Sequence, residues 1–159
     1  MLNNRITLTP MTEPDFQGYL DKAIQGYAQD NIQAGNWRQD EALERSRNAF
    51  EGYLPQGIQT PNNYLFCLIN ENGEQVGILW YATLPKQPGL AFIYDFEIYE
   101  PFRRRGYASQ ALAVMEQDAK ARGSKQIELH VFGFNTAARA LYKKAGYVET
   151  NVMMAKNIS

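Results

Sequence analysis

Phe102-Arg103-Arg104-Arg105-Gly106-Tyr107-Ala108 joins two runs of different period. Ahead of it, Leu90 to Tyr99 alternates in the manner of a strand, with Asp95, Glu97 and Tyr99 set against Tyr94, Phe96 and Ile98. Behind it, Ala108, Ala111, Leu112, Met115 and Ala119 recur at helical spacing, and Gly123 can end that helix. The heptapeptide therefore reads as a strand-to-helix turn. The first amides of a helix lack backbone partners and carry the positive end of its dipole, and Gly106 lets the backbone come close to a ligand. Such a turn suits a phosphate group. It equally suits a solvated basic loop, and the heptapeptide alone does not separate the two.

Outward from the turn, the layout reads β-α-α-β-β-β-α-β-α-β. Arg5 to Thr9 is a short strand. Thr12-Glu13-Pro14-Asp15 offers a cap, an early proline and acidic charge for a helix whose stripe is Phe16, Tyr19, Leu20, Ala23 and Tyr27. A second helix over Asp40 to Leu54 places Leu43, Phe50 and Tyr53 together. Tyr64 to Ile69 and Gln75 to Tyr81 read as strands joined through Asn72-Gly73, a hairpin signal. Gln126 to Phe132 is a further strand, Asn135 caps a short helix ended by Gly146, and Val148 to Lys156 is expected to form a last strand. This order favours a mixed sheet between helical layers, with a right-handed crossover from the Leu90 strand to the Gln126 strand.

Asn135-Thr136-Ala137-Ala138-Arg139-Ala140-Leu141-Tyr142-Lys143-Lys144-Ala145-Gly146-Tyr147 supplies a second signature. Together with Arg103-x-x-Gly106-x-Ala108 it resembles the GNAT acetyltransferase superfamily, over about the last 65 residues. The resemblance implies a single α/β domain over 1–159, a mixed central sheet flanked by about four helices with a splayed acetyl-CoA cleft. Residues 90–159 would form the acetyl-CoA-binding core, and the strand and two helices of 1–60 would cover the acceptor. Acetyl-CoA would be the acetyl donor, paired along backbone at Phe96, Glu97 and Ile98. Its pyrophosphate would rest on Arg103, Arg104, Arg105, Gly106, Tyr107 and Ala108. Asn135 and Ala138 would contact the same pantetheine arm, and Tyr142 would face its sulfur.

N-acetyl transfer needs a neutral amine, whereas a lysine-type amine has a pKa near 10.4 and is mostly charged at neutral pH. Glu97, on the strand entering the loop, is the first candidate base; pairing with a nearby arginine is its alternative reading. His130 competes, because an imidazole titrates near 6.5. It stands where the ribosomal-protein alanine acetyltransferases, which this part of the chain resembles, carry a glutamate. The resemblance makes Tyr142 the general acid facing the CoA sulfur, against a plain core aromatic. Tyr27, Trp37, Trp80 and Tyr81 are candidate walls of the acceptor pocket.

The net charge of −1, from 16 basic and 17 acidic residues, provides no global field for nucleic acid or an anionic membrane. No apolar run approaches the roughly 20 residues that span a bilayer, and Met1 to Arg5 lacks a signal-peptide stretch. A cytoplasmic location is expected. One cysteine, Cys67, and one histidine exclude an internal disulfide and argue against a Cys/His metal site. The expected activity is transfer to a small-molecule amine or a peptide amino group within a ternary complex, by a monomer or homodimer that uses no metal. A CoA-binding regulatory or catalytically vestigial module is the alternative. A nucleotide phosphotransferase lacks its Gly-x-x-x-x-Gly-Lys loop here.

Overall fold

Thr12 opens the first helix as its neighbours dictate: its hydroxyl accepts from the Asp15 amide while the Asp15 carboxylate accepts from the Thr12 amide at 2.9 Å. The computed structural model describes residues 5–159, so residues 1–4, read above for a leader, lie outside it. Its elements are β1 (Thr7–Pro10), α1 (Glu13–Gln33), α2 (Gln39–Tyr53), β2 (Asn63–Ile69), β3 (Gln75–Thr83), β4 (Leu90–Ile98), α3 (Tyr107–Ala121), β5 (Gln126–Leu129) and α4 (Thr136–Lys144). The five strands lie in sequence order, antiparallel except for the parallel pair β4 and β5. A mixed sheet follows, as expected, with the β2–β3 hairpin turning at Asn72-Gly73.

Alternation along the strands divides the core in two. On one face Leu79, Tyr81, Ala91 and Ile93 pack with Leu112 and Met115 of α3, and α4 adds Leu141 and Tyr142 at the margin. On the other, Leu65, Cys67, Ile78 and Trp80 pack under Phe16 and Ile24 of α1 and Phe50 of α2. Each large side chain so buried stabilises the fold by about 1.5–3 kcal/mol. The buried stripe of α2 is Ala42, Ser46 and Phe50 rather than Leu43, which remains exposed. Ser46 explains the shift, because its hydroxyl donates to the Ile24 carbonyl at 2.6 Å and lets α1 and α2 approach closely.

Two expectations need correction. Residues 148–156 form no strand, so β5 is the sheet edge. β5 also stops at Leu129, which places His130 beyond its end.

The second half of β4 departs from regular pairing. Tyr81 stands opposite Ile93 and Trp80 opposite Asp95, so Tyr94 is an extra residue, a β-bulge. Ala91 and Ile93 face the α3 side before it, Phe96 and Ile98 after it. Tyr94 and Asp95 consequently turn to the same side, toward α1 and α2. Pairing with β5 ends at Ile93 and Leu129, leaving Tyr94 to Ile98 without a neighbour on that edge.

Candidate active site

The cleft opened by this split holds about 1110 Å³, with β4 on one side, the β5 end and α4 on another, and α1 above. The backbone of its floor can be oriented from two contacts. The Tyr99 amide donates to the Val76 carbonyl at 2.8 Å, and a Cβ placed on Gly77 would lie 2.0 Å from the Glu97 carbonyl oxygen. Residues 97 and 99 therefore address β3, and by alternation Phe96 and Ile98 address the open side. Of the three backbone positions expected from the sequence, Phe96 and Ile98 turn backbone groups to the open side, whereas the Glu97 carbonyl is directed at Gly77.

A helical turn over Glu100–Phe102 leads from β4 into the arginine loop. Gly106 caps α3 at φ 81°, a left-handed conformation that side chains resist. Gln110 donates to the Gly106 carbonyl at 3.3 Å, so the amides of Tyr107, Ala108 and Ser109 precede the first intrahelical bond. Amides so left without intrahelical partners suit an anion. The arginine side chains diverge. Arg103 folds back, its Nε donating to the Ile98 carbonyl at 2.8 Å and its guanidinium 3.8 Å from Glu97. Arg104 has φ 64° and is exposed, and Arg105 lies over the Phe102 ring. From behind, Arg5 holds the loop by donating to the Arg105 carbonyl and covering the Tyr107 ring.

Across the cleft, Asn135 caps α4 by accepting from the Ala138 amide at 3.2 Å. Asn135, Ala138 and Tyr142 line the cleft along that helix. Burial pushes the Tyr142 hydroxyl up to about 12, with a smaller push from Asp95, so it holds its proton at neutral pH. His130 is an exposed rim residue whose ring meets Phe132 edge-on at 4.9 Å. Glu97 is also at the rim, its side chain 53% exposed and paired with Arg103.

Of the carboxylates that line the cleft, Asp95 is the most deeply buried. Its Oδ2 accepts from the Tyr19 hydroxyl of α1 at 2.6 Å. Burial raises its pKa to about 6; the Tyr19 hydrogen bond and the Phe96 amide pull it down, and Glu97 and Asp30 push it up. Sequence reasoning passed over Asp95 because strict alternation assigns 95 and 97 equal status. The doubled-up charge on this strand was the available signal.

Around Asp95 the wall of the cleft beneath α1 and α2 is aromatic. Trp80 stacks on Tyr94 at 4.7 Å, Tyr53 closes on Tyr94 at 4.9 Å, and Tyr27 and Phe132 face each other at 6.5 Å. Of the aromatic walls expected from the sequence, Tyr27 and Trp80 line the cleft. Trp37 packs edge-on behind Tyr27, and Tyr81 is on the opposite face, bonded to Asp118 of α3. Among the described residues, no group of three or more His, Cys, Asp or Glu is placed to hold a metal ion, and no helix is long and apolar enough to cross a membrane.

Residues 28–147 match the acetyltransferase (GNAT) family. The uncharacterized N-acetyltransferase YycN of Bacillus subtilis (strain 168) is 42% identical over 154 residues, spanning 96% of this chain and 99% of its own. YdgE, an uncharacterized N-acetyltransferase of the same organism, is 39% identical over 153 residues, with 96% and 98% covered. The crystal structure of YycN superposes with a TM-score of 0.93 at 41% identity, over 97% of this chain and 99% of that one.

Proposed function

Because the chain belongs to the acetyltransferase (GNAT) family, we propose that it transfers an acetyl group from acetyl-CoA to a primary amine by direct attack within a ternary complex. One observation carries this reading: the edge of β4 from Tyr94 to Ile98 is open, and it leads directly to the free amides at the start of α3. An extended amide-bearing chain can pair with such an edge as an added strand while its phosphates meet the helix start. The donor's thioester supplies an electrophilic carbonyl carbon.

The residues then divide the work. Phe96 and Ile98 hold the donor arm through backbone groups, with Asn135 and Ala138 opposite. The loop from Arg103 to Ala108 takes the pyrophosphate chiefly through the backbone around Gly106, Tyr107 and Ala108. Asp95 accepts a proton from the incoming ammonium group, because it is the most deeply buried carboxylate of the cleft and its pKa of about 6 leaves it ionised yet basic at neutral pH. Glu97 and His130 stand at the rim, where Glu97 steadies Arg103. Tyr142 presents a protonated phenol to the departing sulfur. The aromatic wall with Asp95 and Asp30 favours a cationic amine carried on an apolar group, from a small molecule or a peptide.

Screening a panel of amines with acetyl-CoA, reading thiol release and acetylated product together, tests this reading. Matched release and product for at least one amine is the expected result. Acetyl-CoA binding without turnover of any amine would contradict it.

A further inference from the structure

We propose that Arg5, held by Glu71, is a positioning residue for the donor: it braces the arginine loop in the conformation that keeps its amides free for pyrophosphate. The inference rests on acetyl-CoA being the donor, and goes beyond it. Arg5 lies outside the residues that match the family, 28–147, and 100 positions from the carbonyl it holds.

The loop needs a brace. Arg104 at φ 64° and Gly106 at φ 81° are both left-handed, a region that L residues resist and that persists where surrounding contacts impose it. The Arg103 amide is tied to the turn before it, donating to the Glu100 carbonyl at 3.2 Å, and α3 holds the Gly106 carbonyl through the Gln110 amide. Between these anchors, among the described residues, the one side chain that bonds the loop backbone is Arg5, at the Arg105 carbonyl. In a planar trans peptide the carbonyl and the following amide point opposite ways. Fixing the Arg105 carbonyl on Arg5 therefore aims the Gly106 amide away from it, and among the described residues that amide has no backbone acceptor.

Arg5 is itself held from three directions. Its amide donates to the Gln110 side chain at 3.3 Å, its guanidinium covers the Tyr107 ring at 4.6 Å, and the Glu71 carboxylate lies 3.8 Å away. The buried Tyr107 donates its hydroxyl to the same carboxylate at 3.2 Å and accepts from Asn70 at 3.4 Å. Asn70 in turn accepts from the Asn72 and Glu74 amides, which fixes the β2–β3 turn that presents Glu71.

Glu71 separates a brace from a simple charge effect. Through space, a carboxylate on this side of the loop repels the donor's phosphates. As the partner of Arg5 and Tyr107 it does the opposite, because it keeps the guanidinium on the Arg105 carbonyl. Removing it therefore changes donor affinity in opposite directions under the two accounts.

NMR titration of the unaltered protein, Arg5→Met and Glu71→Ala tests the brace, using acetyl-CoA and S-acetylpantetheine, which carries the same arm without the phosphates. Methionine keeps an apolar stem on the Tyr107 ring, and both altered side chains are partly exposed, so the fold is retained. Arg5→Met should bind acetyl-CoA about tenfold more weakly, the size of one charge-assisted hydrogen bond. Its affinity for S-acetylpantetheine should change by less than about twofold, a split that general loosening of the fold would not produce. Glu71→Ala should weaken acetyl-CoA binding by about threefold, as for an exposed ion pair. Unchanged acetyl-CoA affinity in Arg5→Met, equal losses on both ligands, or unchanged or tighter acetyl-CoA binding by Glu71→Ala would overturn the brace while leaving the donor in place. An unaltered protein that binds neither ligand would overturn the donor reading and the brace with it.

Discussion

Within one strand, β4, the residues before and after Tyr94 lead different lives. Ala91 to Ile93 pair with β3 on one edge, Leu90 to Ile93 pair with β5 on the other, and Leu90, Ala91 and Ile93 are buried. After the unpaired Tyr94, Asp95 to Ile98 keep β3, lose β5, and expose Glu97 and the partly buried Asp95 to a cleft. The first half is core; the second lines the cleft. One extra residue separates them, and the lesson is that a bulge converts packing surface into binding surface without changing strand composition.

If Asp95 is what the bulge delivers, Asp95→Asn should have the largest effect. Asparagine still accepts from Tyr19 but cannot take a proton, so turnover should fall about 10³-fold with the fold retained. In the unaltered protein the rate should fall as pH drops through about 6, where Asp95 protonates, and the residual activity of the variant should lack that inflection. The stability effect has the opposite sign. A carboxyl whose folded pKa is raised contributes stability below its unfolded value near 3.9, lost as pH rises through about 6. Asp95→Asn should therefore raise the melting temperature more at pH 8 than at pH 4. A variant with full activity would detach the bulge from catalysis.

Across the cleft, Tyr142→Phe removes one hydroxyl and keeps the ring. Turnover should drop about 10²-fold, with acetyl-CoA affinity changed little by calorimetry. Equal turnover under conditions where chemistry limits the rate would make Tyr142 a packing residue.

Gly77→Ala probes the close approach of β3 to the open half of β4. The new methyl group meets the Glu97 carbonyl at 2.0 Å, so backbone must move; about 1–3 kcal/mol of stability should be lost, together with acetyl-CoA affinity. An unchanged affinity would show that the open half tolerates displacement. Glu97→Gln should have the smallest effect, under about threefold in turnover, because its ion pair with Arg103 is more than half exposed. A large loss there that shrinks at alkaline pH would move the base from Asp95 to Glu97.

Much of this was legible in the sequence, for identifiable reasons. Thr12-Glu13-Pro14-Asp15, Asn72-Gly73 and Asn135 act through local hydrogen bonds and turns, so a short window contains their physics. The split cleft was implied by the resemblance that the two signature runs carry to the GNAT family. The bulge did not, because Tyr94 is an ordinary strand residue and the extra position exists only relative to Trp80 and Tyr81 on β3. With the bulge hidden, Asp95 looked no more inward than Glu97. A last strand over Val148 to Lys156 was expected, but strand formation also requires pairing with a partner edge, which a short sequence window does not supply.

The central claim is that the open half of β4 receives the donor's extended arm. Amide hydrogen exchange followed by NMR during titration with acetyl-CoA tests it most directly. The Ile98 amide, directed to the open side, should exchange at least about tenfold more slowly in the complex, while amides of Leu90 to Ile93, already within a paired sheet, keep their rates. Saturating acetyl-CoA with no added protection at Ile98 would contradict the account.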